Sequence, residues 1–545
     1  MKKRLVTRMT ACALTVSMLG AMCLTGCSKE QPSAGTGEGT SQAAGTQAGE
    51  TQNAGTAGTE KLSGSFTYMM HSKFVTWLKD LEWYTYVPEM TGVTVEFVEG
   101  PSENDDYYSE VDQRMISKSF PDAGIVKLAQ ANVYGQQGGF VDLKPYIEEY
   151  APNIKKYLEE NPGYAALVTD ENGAIYGLAN ETPTSAEVIA YRTDHFAEAG
   201  ITQMPENIDE FTEDLRKLKA YYGAKDENYY PLSGRDQLLR FMAFFEASAG
   251  FENGVAHGNY YTSSAYGYDL KAEGFQKMIE WYKELYQEGL IDPEWVSGAI
   301  SEEQWETSVL TGKSSVFIDG YTRPQWYMNN ADKTTYPEFS LDVMPYFETC
   351  YGNPAKVTAK LKYDERRCMV INIAAEDKAP LIMQYLDFYF SEEGRLLTSW
   401  GVEGVSYEEV DGKKQYLIDY TEEEQKAEGT KKWSFLSDQL TFIKPIDNEA
   451  FYSYNTEFTK NIALNLFTED NLAERWNIIY TNDQTTEISN LVSIVHENIN
   501  SGVLKFIKGE RDMSEWDSFL EEMDKLGYDR IVEIEQEAYD AMYQK

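Results

Sequence analysis

Cysteine is scarce in this chain: five occur in 545 residues, and Cys12, Cys23 and Cys27 fall within the first 27. Only Cys350 and Cys368 remain beyond them, so no disulfide framework of the small secreted kind can hold the protein together. Cys368 lies in the apolar run Cys368–Ile373, which reads as a strand, and a single bridge and two free thiols both stay open. Histidine is rarer still. His71, His195, His257 and His496 are scattered, without metal-ligand spacing. Neither G-x-S-x-G nor H-E-x-x-H occurs. Asp170-Glu171-Asn172 opens like a calcium loop, but Ala174 and Ile175 break the pattern where an acid and a glycine are needed. Gly35–Gly39 looks faintly like a nucleotide loop, yet no strand precedes it and no helix follows. No metal and no cofactor is therefore expected. Basic residues are few as well, 48 against 89 acidic ones, for a formal charge of −41. Such a surface repels nucleic acid and anionic lipid. Paired carboxylates could serve a hydrolase, but with 89 acids a pair arises by chance and carries no information.

What is present begins at the N-terminus. Lys2, Lys3, Arg4 and Arg8 precede an apolar stretch from Ala11 to Leu24, too short to span a bilayer comfortably and followed by no stop-transfer pattern. The stretch ends in Leu24-Thr25-Gly26-Cys27, which resembles the lipobox of bacterial lipoproteins. That resemblance implies a signal peptide over 1–26, cleavage before Cys27, and lipid on its sulfur, with the protein held on the outer face of the cell membrane. Losing the leader's four cations takes the charge to −45. Residues 31–60 contain no large apolar side chain and cannot offset their own ordering entropy. As a coil they reach about 30 Å, enough to lift a folded body off a membrane.

The body, from residue 61 onward, is long enough for at least two domains and alternates strand-like and helical runs. Ser65–Met70, Val93–Val98, Ala123–Leu128 and a run starting at Ile175 read as strands, with helical spacing between them, an α/β pattern with parallel sheets. Asn207 predicts an N-cap with Glu210 as its capping-box partner, ahead of the apolar face Ile208, Phe211, Leu215, Leu218 and Tyr222. A second helix carries Phe275, Met278, Ile279, Tyr282 and Leu285 and is closed by Gly289; a third runs from Ala379 to Phe390. The last hundred residues read mostly as helix.

A series of short motifs then follows a recognisable order: Pro121-Asp122-Ala123, Gly173–Leu178 with Tyr191–Asp194, Gly200-Ile201, Leu285–Pro293, Gly312–Phe317 stopping at Asp319-Gly320, and Ser391–Gly394 leading to Gly401–Tyr407. In that order the chain resembles the extracellular solute-binding proteins of bacterial carbohydrate importers of the ABC type, in their large lipoprotein branch. The resemblance covers residues 62 to 407. It implies a two-lobed, periplasmic-binding-protein-like α/β fold, each lobe a mostly parallel sheet flanked by helices, joined by a hinge that closes over ligand. Carried onto this chain, lobe one is 62–182 with 300–335, and lobe two is 184–299 with 338–545. The crossings fall near Asn180–Thr184 and Tyr321–Tyr336. It further implies a monomer that captures an oligosaccharide and hands it to a membrane permease. A secreted glycan-binding or glycoside-hydrolysing lipoprotein without a transporter is the alternative.

Sugars need an aromatic platform for their C–H face and planar polar groups for their hydroxyls. Ligands of open α/β sheets lie beyond the carboxyl ends of strands. The residues just past those ends are the candidates: His71, Gly100 and Gln130 in the first lobe, Asn180 and Glu181 at the crossing, Arg235, Asp319, Tyr321 and Trp326 further on, then Trp400, Glu403 and Tyr407. Each has another possible role. Trp400 and Tyr321 could be core, Glu181 and Asp319 could cap helices, and Glu403 could hold its own Gly-rich loop. Arg235 could form a surface ion pair, and His71 could be structural.

Overall fold

The computed structural model describes residues 61–543, apart from 80–81, 236–237, 260–266, 418–442, 454 and 474. The expected signal peptide over 1–26, Cys27 and the expected tether up to residue 60 lie outside the described residues.

The strands that matter are β1 (Gly64–His71), β2 (Val93–Gly100), β3 (Ala123–Val126), β4 (Leu178–Glu181), β5 (Glu187–Arg192), β6 (Leu232–Ser233), β7 (Val316–Gly320), β8 (Leu341–Val343) and β9 (Tyr363–Ile371). Side chains of β1 alternate between two cores: Phe66, Tyr68 and Met70 join one and Met69 the other. Both faces of the first sheet are thus covered. Its order is β2-β1-β3-β9-β4, parallel except for β9, which runs against both neighbours. The second sheet has the order β8-β5-β7-β6, with its own large core built from the helices Ile208–Tyr222, Glu273–Gln287, Asn482–Lys508 and Tyr528–Tyr543. Here β5 runs antiparallel to β8 and β7, and only β6 is parallel to β7. This sheet is mixed rather than mostly parallel.

Two expected boundaries are corrected. The segment 300–335 does not return to the first sheet. Its strand β7 pairs along the length of β5, from Glu187↔Gly320 to Tyr191↔Val316, and Phe317 packs with Trp305 and Tyr327 on that sheet's outer face. The strand that returns is β9, between β3 and β4, and helices Ala379–Phe390 and Glu392–Ser399 follow it into the first core. The second crossing is accordingly 344–362, not Tyr321–Tyr336. The reason is physical: Val316–Ile318 and Cys368–Ile371 are both short apolar runs, and which sheet each joins is decided by side-chain packing rather than by the run itself. The first crossing, 182–186, lies close to where the sequence puts it. A third passage carries residues 443–466 back to the second sheet, where Tyr452, Ile462 and Leu466 pack around Val188 and Tyr321.

Local signals read well. Asn207 Oδ1 accepts from Glu210 N at 3.0 Å, and the reciprocal bond goes one residue earlier, from Glu206 N to Glu210 Oε2 at 3.0 Å. Asn207→Ala is expected to cost about 1 kcal/mol, read as a lower urea midpoint with an unchanged slope. Gly289 ends its helix at φ +66. The calcium-like start is a self-contained turn: Asp170 Oδ1 accepts from Asn172 N and Ala174 N, each at 2.9 Å, and Lys144 Nζ donates to Gly173 O at 2.9 Å. Cys350 and Cys368 are both free.

Candidate functional site

Strands β1, β2, β3 and β4 all end at one edge of the first sheet, at His71, Gly100, Val126 and Glu181, and β9 enters from that edge at Tyr363. Past Glu181 the chain has only residues 182–186 before Glu187 opens β5, and Glu187 is paired with Gly320 at the end of β7. Strand β6 runs parallel to β7 and ends just before Arg235. The carboxyl ends of the parallel strands of both sheets therefore meet at one short crossing, where ligands of α/β sheets bind.

At the first edge, His71 is 1% exposed and stacks on Tyr107 with ring centroids 3.7 Å apart. Burial, with Arg367 and Lys73 nearby, pushes its imidazole down to about 4, so it is neutral at pH 7. Gly100 makes room for Tyr107: a Cβ there would lie 2.7 Å from that ring. The Tyr107 hydroxyl donates to Met69 O and Ile125 O, each at 3.0 Å. Gln130 is engaged throughout, accepting from Lys127 N at 3.1 Å and donating to Tyr108 O at 3.1 Å and Asp112 Oδ1 at 2.7 Å. Asn180 is buried on β4, opposite Asp364. Glu181 Oε2 accepts from Ile446 N at 2.9 Å and Tyr157 OH at 3.1 Å, and Lys362 Nζ lies 3.6 Å from Oε1. Burial still raises its carboxyl above the usual range.

Sequence reasoning missed the polar start of β9. Asp364 takes Arg366 Nε at 2.8 Å and Arg367 Nη1 at 3.3 Å, and the Arg366 side chain is 64% exposed at this edge. Tyr108 donates to Arg366 O, and Lys127 Nζ lies 4.6 Å over the Tyr108 ring. The available signal was Asp364-Glu365-Arg366-Arg367, four charges directly ahead of the apolar run Cys368–Ile371. Half of one strand is edge and half is core.

At the second edge, Asp319 is buried and accepts from Arg235 Nε at 3.0 Å, Arg323 Nε at 3.4 Å and Gly320 N at 2.7 Å. Arg235 and Arg323 also share Glu302, at 3.0 and 2.6 Å. Arg240 pairs with Glu187, both buried, and donates to Ile318 O at 3.3 Å. Trp326 keeps 37% of its surface exposed.

Of the candidates, Tyr321, Trp400 and Tyr407 lie in the core, which for Tyr321 and Trp400 is the other role the sequence leaves open. Tyr321 packs on Phe467 at 5.1 Å and Tyr452 at 6.4 Å. Trp400 is 2% exposed, stacks on Tyr416 at 4.7 Å, and donates from Nε1 to Asp447 Oδ2 at 3.0 Å. Tyr407 shares that small cluster with Trp400 and Ala450. Glu403 is exposed on the turn before Tyr407, where Gly404 N donates to Tyr407 O at 2.8 Å. Beside the crossing 344–362 lies a cavity of about 790 Å³, lined by Glu246, Ser248, Asn253, His257, Asp269 and Thr349 among others.

Residues 82–396, more than half of the chain, match the family profile described as bacterial extracellular solute-binding protein. Lipoprotein LipO of Bacillus subtilis is 24% identical over 352 residues, which are 62% of this chain and 64% of LipO. The fructooligosaccharide ABC transporter substrate-binding protein FusA of Streptococcus pneumoniae is 21% identical over 437 residues, 75% of this chain and 77% of that protein. Among solved structures, an extracellular solute-binding protein from Bifidobacterium longum subsp. infantis superposes with a TM-score of 0.64 at 15% identity, covering 89% of this chain and 99% of its own. The alginate-binding protein AlgQ2 superposes with a TM-score of 0.59 at 18% identity, covering 87% and 98%.

Proposed function

Because this chain belongs to the bacterial extracellular solute-binding proteins, we propose that it captures an oligosaccharide between the two strand edges and delivers it to an ABC transporter permease, while lipid on Cys27 holds it to the outer face of the membrane. The observation that carries the reading is the meeting of both carboxyl edges at residues 182–186, with an exposed indole on one side and exposed guanidinium on the other. A ligand touching both edges binds only where the lobes approach, so binding draws the closed form from the open one. That closed form docks on the permease.

FusA, named for fructooligosaccharide, and AlgQ2, named for alginate, support a glycan ligand. A hydrolytic role finds less support. Asp319 and Glu187 at the second edge are each paired with a guanidinium. The close Ser–His contact, Ser315 Oγ to His195 Nδ1 at 2.6 Å, is buried at the opposite end of the second sheet, beside the start of β7.

The test is thermal melting of the full chain against glycan and peptide panels, with each glycan re-analysed afterwards. A ligand at a hundred times its Kd adds about 2.7 kcal/mol, enough for a shift of a degree or more. A shift with one glycan class, recovered intact, is the expected result. A shift with peptides alone, or a glycan returned as shorter products, would defeat the reading.

A further inference from the structure

We propose that Arg323 is the positioning residue that fixes Trp326 as the stacking platform of the second edge, and that Asp319, Glu302 and Glu306 serve to hold Arg323 for that task. The inference rests on the oligosaccharide reading above and names how that site presents its apolar face.

Arg323 and Trp326 are three apart on the helix Arg323–Asn330, so they share a face. The guanidinium carbon lies 4.9 Å from the centroid of the Trp326 ring. Tyr327 meets the same indole edge-on, at 5.1 Å and 83°. One face of Trp326 is thus covered by a cation and its edge is braced, while 37% of the residue stays open. A sugar's C–H face would stack on the uncovered side.

Arg323 is itself held from two further elements. Nη2 reaches Glu302 Oε1 at 2.6 Å and Glu306 Oε1 at 2.7 Å, both on the helix Glu302–Leu310. Nε reaches Asp319 Oδ2 at 3.4 Å, at the end of β7. Arg323 thus meets three carboxylates at once, which fixes its guanidinium beside an exposed indole. A planar, multiply bonded fork over an aromatic ring is a geometry that lysine cannot reproduce. Holding the ring in place beforehand removes the ordering cost that a loose side chain adds to binding, roughly two- to tenfold in affinity. Asp319, expected from the sequence to touch ligand, becomes the anchor of this network.

The experiment starts without ligand. The difference in fluorescence between wild type and Trp326→Phe isolates the signal of Trp326. Arg323→Gln is expected to lower the anisotropy of that signal and raise its quenching by acrylamide about twofold; Arg323→Lys, the milder variant, should recover less than half of the loss. A Trp326 signal equally rigid and shielded in Arg323→Gln overturns the positioning role. The second arm uses kestose and alginate oligosaccharides in a double-mutant cycle. Arg323→Gln should weaken binding several-fold with Trp326 in place, and have no further effect in Trp326→Ala. Additive losses overturn the inference, and so does binding undiminished in Trp326→Ala. Binding of peptides and of no glycan would bring down the oligosaccharide reading and the platform with it, while the fluorescence arm still decides what Arg323 does to the ring.

Discussion

Lys444→Met is expected to make the protein more stable at pH 7, by about 2–4 kcal/mol. Lys444 is 2% exposed. Its ammonium donates to Thr398 O at 3.0 Å. Burial pushes it down from 10.5 to about 7, with Arg395 adding to the fall and Asp447 opposing it. The unfolded chain keeps an ordinary lysine, so between about pH 7 and 10.5 it holds a proton that the folded chain has released. Stability then rises with pH across that window and is lowest below it. At 1.36 kcal/mol per pKa unit, the full cost of burying the charge is on the order of 4–5 kcal/mol. Methionine removes that cost and forfeits one hydrogen bond, worth about 1 kcal/mol. Urea unfolding at pH 7, 8, 9 and 10 reads both consequences. The wild type should gain stability on the alkaline side and the variant should stay flat, the two curves converging toward pH 10. A methionine variant weaker than wild type at pH 7 would show that Lys444 is sustained by partners strong enough to keep its charge in place.

The position of Lys444 gives that result its interest. It precedes a short stretch laid along the first crossing, where Ile446 N donates to Glu181 Oε2, Thr184 N donates to Asn448 Oδ1 at 2.9 Å, and Tyr452 OH donates to Thr184 O at 2.6 Å. A charge carried at a cost sits next to the segment through which the two sheets are joined. None of this was legible in the sequence. Isoleucine, asparagine and tyrosine around residue 450 have no periodicity that points to residue 181, because the bonds span more than 260 positions. What could be read was local. The cap at Asn207, the helix stop at Gly289, the strands around Tyr68 and Val95 and the crossing near Thr184 each depend on a few neighbouring residues. Sheet membership of Val316–Gly320 and Tyr363–Ile371 depends on distant partners, and there the order of motifs led to the wrong lobe. The site divides in the same way. Position beyond a strand end selected residues at the two edges, but whether a side chain faces ligand or closes a network is settled by what packs behind it. Gln130 and Trp400 have those partners; Arg366 and Trp326 reach solvent.

Glu181 makes that distinction testable, since position alone marks it as a ligand contact while its bonds mark it as a structural tie. Glu181→Ala is expected to cost about 2–3 kcal/mol, because it strips a nearly buried acceptor from Ile446 N and Tyr157 OH, while the half-exposed Lys362 turns to solvent. Glu181→Gln should cost less than about 1 kcal/mol. The amide keeps an oxygen for the two donors, and burial already disfavours the charged form of this carboxyl. Unfolding midpoints of the two variants, with glycan affinity measured on the folded fraction, separate the roles. A structural tie predicts a large fall in stability for alanine, near-wild-type stability for glutamine, and little change in affinity for glutamine. If glutamine instead folds as well as wild type but loses affinity tenfold or more, the carboxylate meets the ligand directly. Residues 182–186 would then be part of the binding surface as well as the link between the two sheets.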